Sequence, residues 1–152
     1  MYERILVPTD GDEQSLAAAR HAVELAGVHG ATVDAVYVAD TEPSWTAVSK
    51  GEVRETLREV QREAGVQALD AVETLADGGT VTLRTELREG TPDEEILAAI
   101  DDHDPDLVVM GTHGHSGIRR RLLGSVTERI VRDAPVPVLT VKSDTEASGS
   151  SA

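Results

Sequence analysis

At 152 residues and without cysteine, the chain is long enough to bury one core unaided. It offers no disulfide, no thiolate nucleophile and no cysteine-ligated zinc. Its 28 acidic residues against 14 basic ones give a net charge of −14, which opposes DNA or RNA binding, because affinity for nucleic acid comes largely from Lys and Arg neutralising phosphates.

No apolar run approaches membrane-span length. The opening Met1-Tyr2-Glu3-Arg4-Ile5-Leu6-Val7-Pro8 lacks the basic-then-apolar order of a secretory signal. A cytoplasmic protein with no nucleic-acid or membrane partner is therefore expected. Lys50 and Lys142 are the only lysines and there is no Phe, so the core must come from Ala, Val, Leu and Ile. An acidic, lysine-poor chain suits a salt-rich cytoplasm, where screening relieves self-repulsion. Its melting temperature is expected to rise between low and molar salt, and a flat curve would contradict that adaptation.

Ile5 to Thr9 reads as a buried parallel strand. Asp12 and Ser15 can cap the helix that follows, in which Leu16, Ala19, Ala22, Val23 and Ala26 recur at helical spacing until Gly27 to Gly30 stops it. Thr32 to Ala39 is a second, β-branched strand, and Asp40 to Gly51 a polar loop containing Pro43 and Trp45. Val53, Leu57, Val60, Ala64, Ala68, Ala71 and Leu75 step by three and four, so Glu52 to Ala76 is predicted as a long amphipathic helix. Thr80 to Glu89 alternates as an edge strand. Thr91-Pro92-Asp93-Glu94 starts a helix with Thr as cap, Pro at the first position and acids in the first turn, ending near Asp102. A strand over Asp106 to Met110, a loop over Gly111 to Gly124, a helix over Ser125 to Arg132 and a strand over Pro135 to Val141 follow. Residues 143–152 form a small polar tail expected to be disordered.

This alternation predicts one α/β domain over residues 1–142, with a parallel sheet covered by helices on both faces. Ligands in such sheets bind beyond the carboxyl ends of the strands, where strand order reverses. Pro8-Thr9-Asp10-Gly11 and the loop from Gly111 occupy that geography. Glycine directly after a strand permits a turn and close ligand approach, and successive amide N–H groups can converge on an anion. Gly124-Ser125 opens a helix, where unpaired N–H groups and the helix dipole favour phosphate. Arg119 to Arg121 add positive charge beside the candidate phosphate site.

Gly111-x-x-Gly114, nine residues, then Gly124-Ser125 resembles the nucleotide-binding signature of the universal stress protein family. Arg4-Ile5-Leu6-Val7-Pro8-Thr9-Asp10 resembles that family's opening strand. Leu122-Leu123-Gly124-Ser125-Val126 and Ala134-Pro135-Val136-Pro137-Val138-Leu139 resemble its closing helix and strand. The resemblance implies a doubly wound three-layer fold, a five-stranded parallel sheet of order 3-2-1-4-5, and frequently a homodimer through the last strand, Pro135 to Val141. It also implies a site for ATP or a related adenine nucleotide, with or without Mg2+. Pro8, Thr9 and Asp10 match the first-strand part of that site, with Asp10 placed for the ribose or a metal. Val38 matches a position contacting adenine. Met110, Gly111, Thr112, Gly114, Gly124, Ser125 and Val126 match the loop part.

Competing patterns are weaker. Asp10 can instead cap the first helix. His113 and His115 lack an evident third ligand, and zinc sites need three or four. Thr112-His113-Gly114-His115 mimics the T-x-G-H motif of nucleotidylyltransferases but follows the fourth strand, not the first. Ile118 stands where a G-x-S-x-G elbow needs its last glycine, and no P-loop exists. No nucleophile, general base or Walker-type lysine is evident beside the phosphate loop. A nucleotide-binding regulatory or stress-response protein without efficient catalysis is therefore expected. A slow ATP-hydrolysing or adenylyl-transferring enzyme, and a dimeric interaction module with structural nucleotide, are the alternatives.

Overall fold

The computed structural model describes residues 1–41, 51–112 and 123–143. Most of the glycine loop, with Gly114, His113, His115 and Arg119 to Arg121, lies outside the described residues, as do Trp45 and the tail after Ser143. Among the described residues nine elements follow in chain order: β1 (Arg4–Pro8), α1 (Glu13–His29), β2 (Thr32–Asp40), α2 (Gly51–Ala76), β3 (Thr82–Gly90), α3 (Pro92–His103), β4 (Leu107–Gly111), α4 (Ser125–Asp133) and β5 (Val138–Val141). The strands form one parallel sheet in the order β3-β2-β1-β4-β5, as expected. Ile5 is the hub of the register, standing beside Val33 on one side and Leu107 on the other.

Alternate residues of the central strands feed two cores. Ile5, Val7, Val33, Ala35 and Tyr37 pack under α1 and α2. Leu6, Val36, Val108 and Met110 pack under α3 and α4. Such two-sided burial is why β1 and β4 read as continuous apolar runs. The buried face of α1 is Ser15, Ala18, Ala19, Ala22 and Ala26, small side chains that let the helix lie close to the sheet. Asp12 caps α1 by accepting the Ser15 N–H at 2.9 Å.

Several boundaries differ from the sequence reading. Gly27 lies inside α1, and only Gly30, left-handed at φ 69°, ends it. The N-cap position of α3 is Thr91, but its side chain makes no capping bond. The last strand starts at Val138, because Pro135 and Pro137 have no N–H to give the ladder; Pro137 contributes its carbonyl to Val108 at 3.0 Å.

The stripe of α2 is also rotated. Val60 is 56% exposed and Ala64 is exposed, whereas Gly65, Ala68, Leu69 and Val72 are buried. Gly65 sets this rotation. A Cβ there would lie 2.5 Å from Leu87 Cδ1 and 2.7 Å from Tyr37 Cδ1, so only glycine lets α2 close on those side chains. Gly-to-Ala changes inside helices usually gain up to about 1 kcal/mol. Gly65→Ala is expected to reverse that sign and lower the melting temperature in thermal unfolding.

On the α3 side of β2 and β3 lies a charged cluster that periodicity does not anticipate. Asp34, only 2% exposed, takes a two-point bond from Arg84 at 2.7 and 3.1 Å. Glu86 meets His103 Nε2 at 2.9 Å and Arg88 at 3.2 Å. Burial alone would raise the Glu86 carboxyl, but the bonds from His103 and Arg88 outweigh it and hold the group below its ordinary value of 4.5. A depressed carboxyl contributes stability that is full above its unfolded value and lost as pH falls through the folded one. Glu86→Gln should therefore flatten the loss of stability on acidification below about pH 4.5, read as melting temperature against pH.

Candidate functional site

At the carboxyl ends of β1, β2 and β4 the molecule opens into a cavity of about 520 Å³, within the range of about 300–1,000 Å³ usual for small-molecule sites. The position follows from topology. The chain leaves β1 toward α1 on one face and β4 toward α4 on the other, so the loops diverge where strand order reverses.

Pro8, Thr9, Asp10, Val38, Met110, Gly111, Gly124, Ser125 and Val126 all line this cavity. Residues more than a hundred positions apart in the chain are thus brought to one wall. Thr112 sits beside the cavity instead. Its hydroxyl donates to Gln14 Oε1 at 2.9 Å, and its carbonyl accepts the Gly124 N–H at 2.7 Å, closing the base of the glycine loop. Gly114 lies outside the described residues.

Asp10 is not the helix cap; Asp12 has that role. Asp10 Oδ1 accepts the Asp12 N–H at 3.1 Å and lies 2.9 Å from the Ser15 hydroxyl. Thr9 Oγ1 lies 3.0 Å from the same hydroxyl and accepts the Gly11 N–H at 3.3 Å. These bonds fix a tight turn, with Gly11 at φ 88°, which holds the Asp10 carboxylate at the cavity.

Gly111 has a packing role in addition to the turn and ligand approach that the sequence suggests. A Cβ there would lie 3.1 Å from the Gln14 carbonyl carbon and oxygen, so its glycine serves the packing of β4 against the first turn of α1. Its carbonyl accepts the Thr127 hydroxyl at 2.9 Å, which ties the end of β4 to the start of α4. Gly124 stands at the N-cap of α4 without a side-chain cap, so the first-turn N–H groups keep no intrahelical partner. Arg129 of α4 bonds Asp93 of α3 at 2.7 Å and fixes the spacing of those two walls.

Sequence reasoning missed Ser15, Val36, Tyr37, Asp40, Gln61, Pro92, Ile96 and Thr127, all of which line the cavity. Asp40 and Pro92 follow strand ends, a signal available from the strand pattern. Tyr37 and Gln61 had none, because the seating of α2 is a tertiary fact. The Tyr37 hydroxyl donates to Gln61 Oε1 at 3.2 Å. Burial first, and the Asp10 charge second, push the Tyr37 phenol above its ordinary value.

The profile of the universal stress protein family matches residues 1–142. The chain belongs to the universal stress protein family. Among curated relatives, a universal stress protein of Methanocaldococcus jannaschii is 42% identical over 142 residues, covering 93% of this chain and 83% of the relative. Among solved structures, universal stress protein UspA from Lactobacillus plantarum superposes with a TM-score of 0.80 at 30% identity, over 92% of this chain and 97% of that one. A universal stress protein solved in complex with cAMP superposes with a TM-score of 0.65 at 25% identity, over 92% and 97% of the two chains.

The described lining of this universal stress protein carries two carboxylates, Asp10 and Asp40, and no Lys or Arg. Among the described residues no group of three or more His, Cys, Asp or Glu is arranged to hold a metal, and no helix is long and apolar enough to cross a membrane.

Proposed function

We propose that this universal stress protein binds an adenine nucleotide, ATP or a relative of it, in the switch-point cavity, as a regulatory ligand rather than a rapidly consumed substrate. The observation carrying the reading is the pairing of two unlike ends in one cavity. Val38, Pro92, Ile96 and Met110 supply apolar surface for a base. The N-terminus of α4 at Gly124-Ser125 supplies N–H groups and a positive dipole end for phosphate. The cAMP complex of the relative supports the adenine assignment. Because the described lining is acidic, the phosphate charge would be met by α4 together with Arg119 to Arg121 and Mg2+. Gly114 and Thr112 belong to the phosphate loop in this reading, as the family signature implies.

The domain spans residues 1–142 and acts in the cytoplasm without nucleic-acid or membrane partners. Two copies pair through β5, an edge strand whose Leu139 is 36% exposed, since an apolar edge invites pairing.

The test is to purify the protein in high salt without added ligand, denature it, and identify any released small molecule by mass spectrometry. A stoichiometric adenine nucleotide is the expected result. An empty protein that also fails to bind ATP with magnesium would overturn the proposal. Turnover of about one per second or faster would replace the regulatory reading with an enzymatic one.

A further inference from the structure

The cavity wraps over the end of the sheet and has two chemically different halves. Val38 and Met110 belong to the α3 and α4 side, with Ile96. Tyr37 belongs to the α1 and α2 side, where it bonds Gln61 of α2 and feels the charge of Asp10, and all three line the cavity. The apolar half accepts the flat base. The polar half then faces what is attached to the base. We propose that Gln61, its amide oriented by Tyr37, selects ribonucleotides at this site, donating to one ribose hydroxyl while Asp10 accepts from the neighbouring one. The inference rests on the nucleotide reading, in which Asp10 is already placed for the ribose, and adds to it Gln61 as a specificity residue positioned by Tyr37.

The argument runs from the packing of α2. Tyr37 is 6% exposed, and its ring is pressed under Gly65, where a Cβ would lie 2.7 Å from Cδ1. The ring therefore has little freedom to swing. Its hydroxyl donates to Gln61 Oε1, which occupies the acceptor end of the amide and leaves the two N–H donors as what Gln61 can offer a ligand. Burial and the nearby Asp10 charge both push the phenol above its ordinary value, so Tyr37 keeps the proton that it donates to Gln61 Oε1. Asp10, a carboxylate, only accepts, and its oxygens have lone pairs for several bonds at once.

A donor on Gln61 and an acceptor on Asp10, both lining one cavity and each related to Tyr37, the first by a hydrogen bond and the second by its charge, suit a vicinal diol, in which one hydroxyl accepts while the other donates. A sugar lacking either hydroxyl leaves one protein group facing no partner in a partly desolvated site, which costs more than a bond merely not gained.

The test is calorimetric titration of ATP, 2′-deoxy-ATP and 3′-deoxy-ATP into ligand-free wild type, Gln61→Leu and Tyr37→Phe. Wild type is expected to bind at least one deoxy analogue about tenfold more weakly than ATP. In Gln61→Leu, ATP should weaken by a similar factor, and the analogue lacking the hydroxyl that Gln61 reads should come within about twofold of ATP. Tyr37→Phe, which frees the amide to rotate, should lose part of the same preference. Undiminished preference in Gln61→Leu, or equal binding of all three nucleotides by wild type, would overturn the role of Gln61. Undiminished preference in Tyr37→Phe alone would overturn the orienting role of Tyr37. If wild type bound none of the three, the nucleotide reading itself would fall, and this inference with it.

Discussion

Gly111→Val is expected to weaken nucleotide binding at least tenfold and to lower stability by about 1–3 kcal/mol. The last residue of β4 has no room for a branched side chain, since even a Cβ would lie 3.1 Å from the Gln14 carbonyl carbon and oxygen and 3.2 Å from its Cβ. Those are backbone and near-backbone atoms of the first turn of α1, so they cannot swing away. Relief requires β4 and α1 to separate, which carries the Gly111 carbonyl off the Thr127 hydroxyl and loosens the start of α4. The cavity lies between these parts, with Asp10 on one side and Ser125 on the other. Thermal unfolding and ATP titration of the same preparation measure both effects. Unchanged affinity with lowered stability would mean that the end of β4 plays no part in holding the ligand.

The second large effect is expected at Ile130. It is fully buried, and it seats α4 on Leu6, Val108 and Met110. Ile130→Ala removes three carbons from a close-packed site and should cost about 2–5 kcal/mol, lowering the melting temperature by roughly 10 °C for a chain of this size. Because the same helix presents its N-terminus to the cavity, ATP affinity should fall as well. Val131, its neighbour, is 44% exposed, and Val131→Ala should stay within about 0.5 kcal/mol of wild type. Equal losses at the two positions would contradict the assignment of the buried face of α4.

The order of elements was legible because each central strand is short, apolar and bounded by turn residues, and because the helices carry clear stops. Pro8 to Asp10 and Gly124 to Val126 were legible as residues of the switch-point cavity for the same reason: they follow strand ends or open a helix, where chain topology leaves a crevice. What lay hidden was tertiary. The buried stripe of α2 was misplaced because apolar spacing favoured Val60 and Ala64, whereas Gly65, invisible to a hydrophobic pattern, lets the helix close on Tyr37 and Leu87. Tyr37 and Gln61 could not be placed at the cavity until that rotation was known. The Asp34 cluster escaped because a buried carboxylate on a strand looks like an interruption until its partners, Arg84 on β3 and Arg4 on β1, are seen beside it.

Gly111 lines the cavity, and the sequence does not reveal that its missing side chain also admits the first turn of α1. The turn after β1 also divides its labour in a way the letters do not reveal, with Asp12 capping the helix and Asp10 held at the cavity by Ser15 and the Asp12 N–H.

The most direct test of the central claim is calorimetric titration of ATP with magnesium into nucleotide-free wild type and Gly111→Val, in high salt. The account predicts saturable binding of one nucleotide per chain in the wild type, weakened at least tenfold in the variant. No binding by folded wild type, or equal binding by both proteins, would contradict the placement of a nucleotide between the ends of β1 and β4.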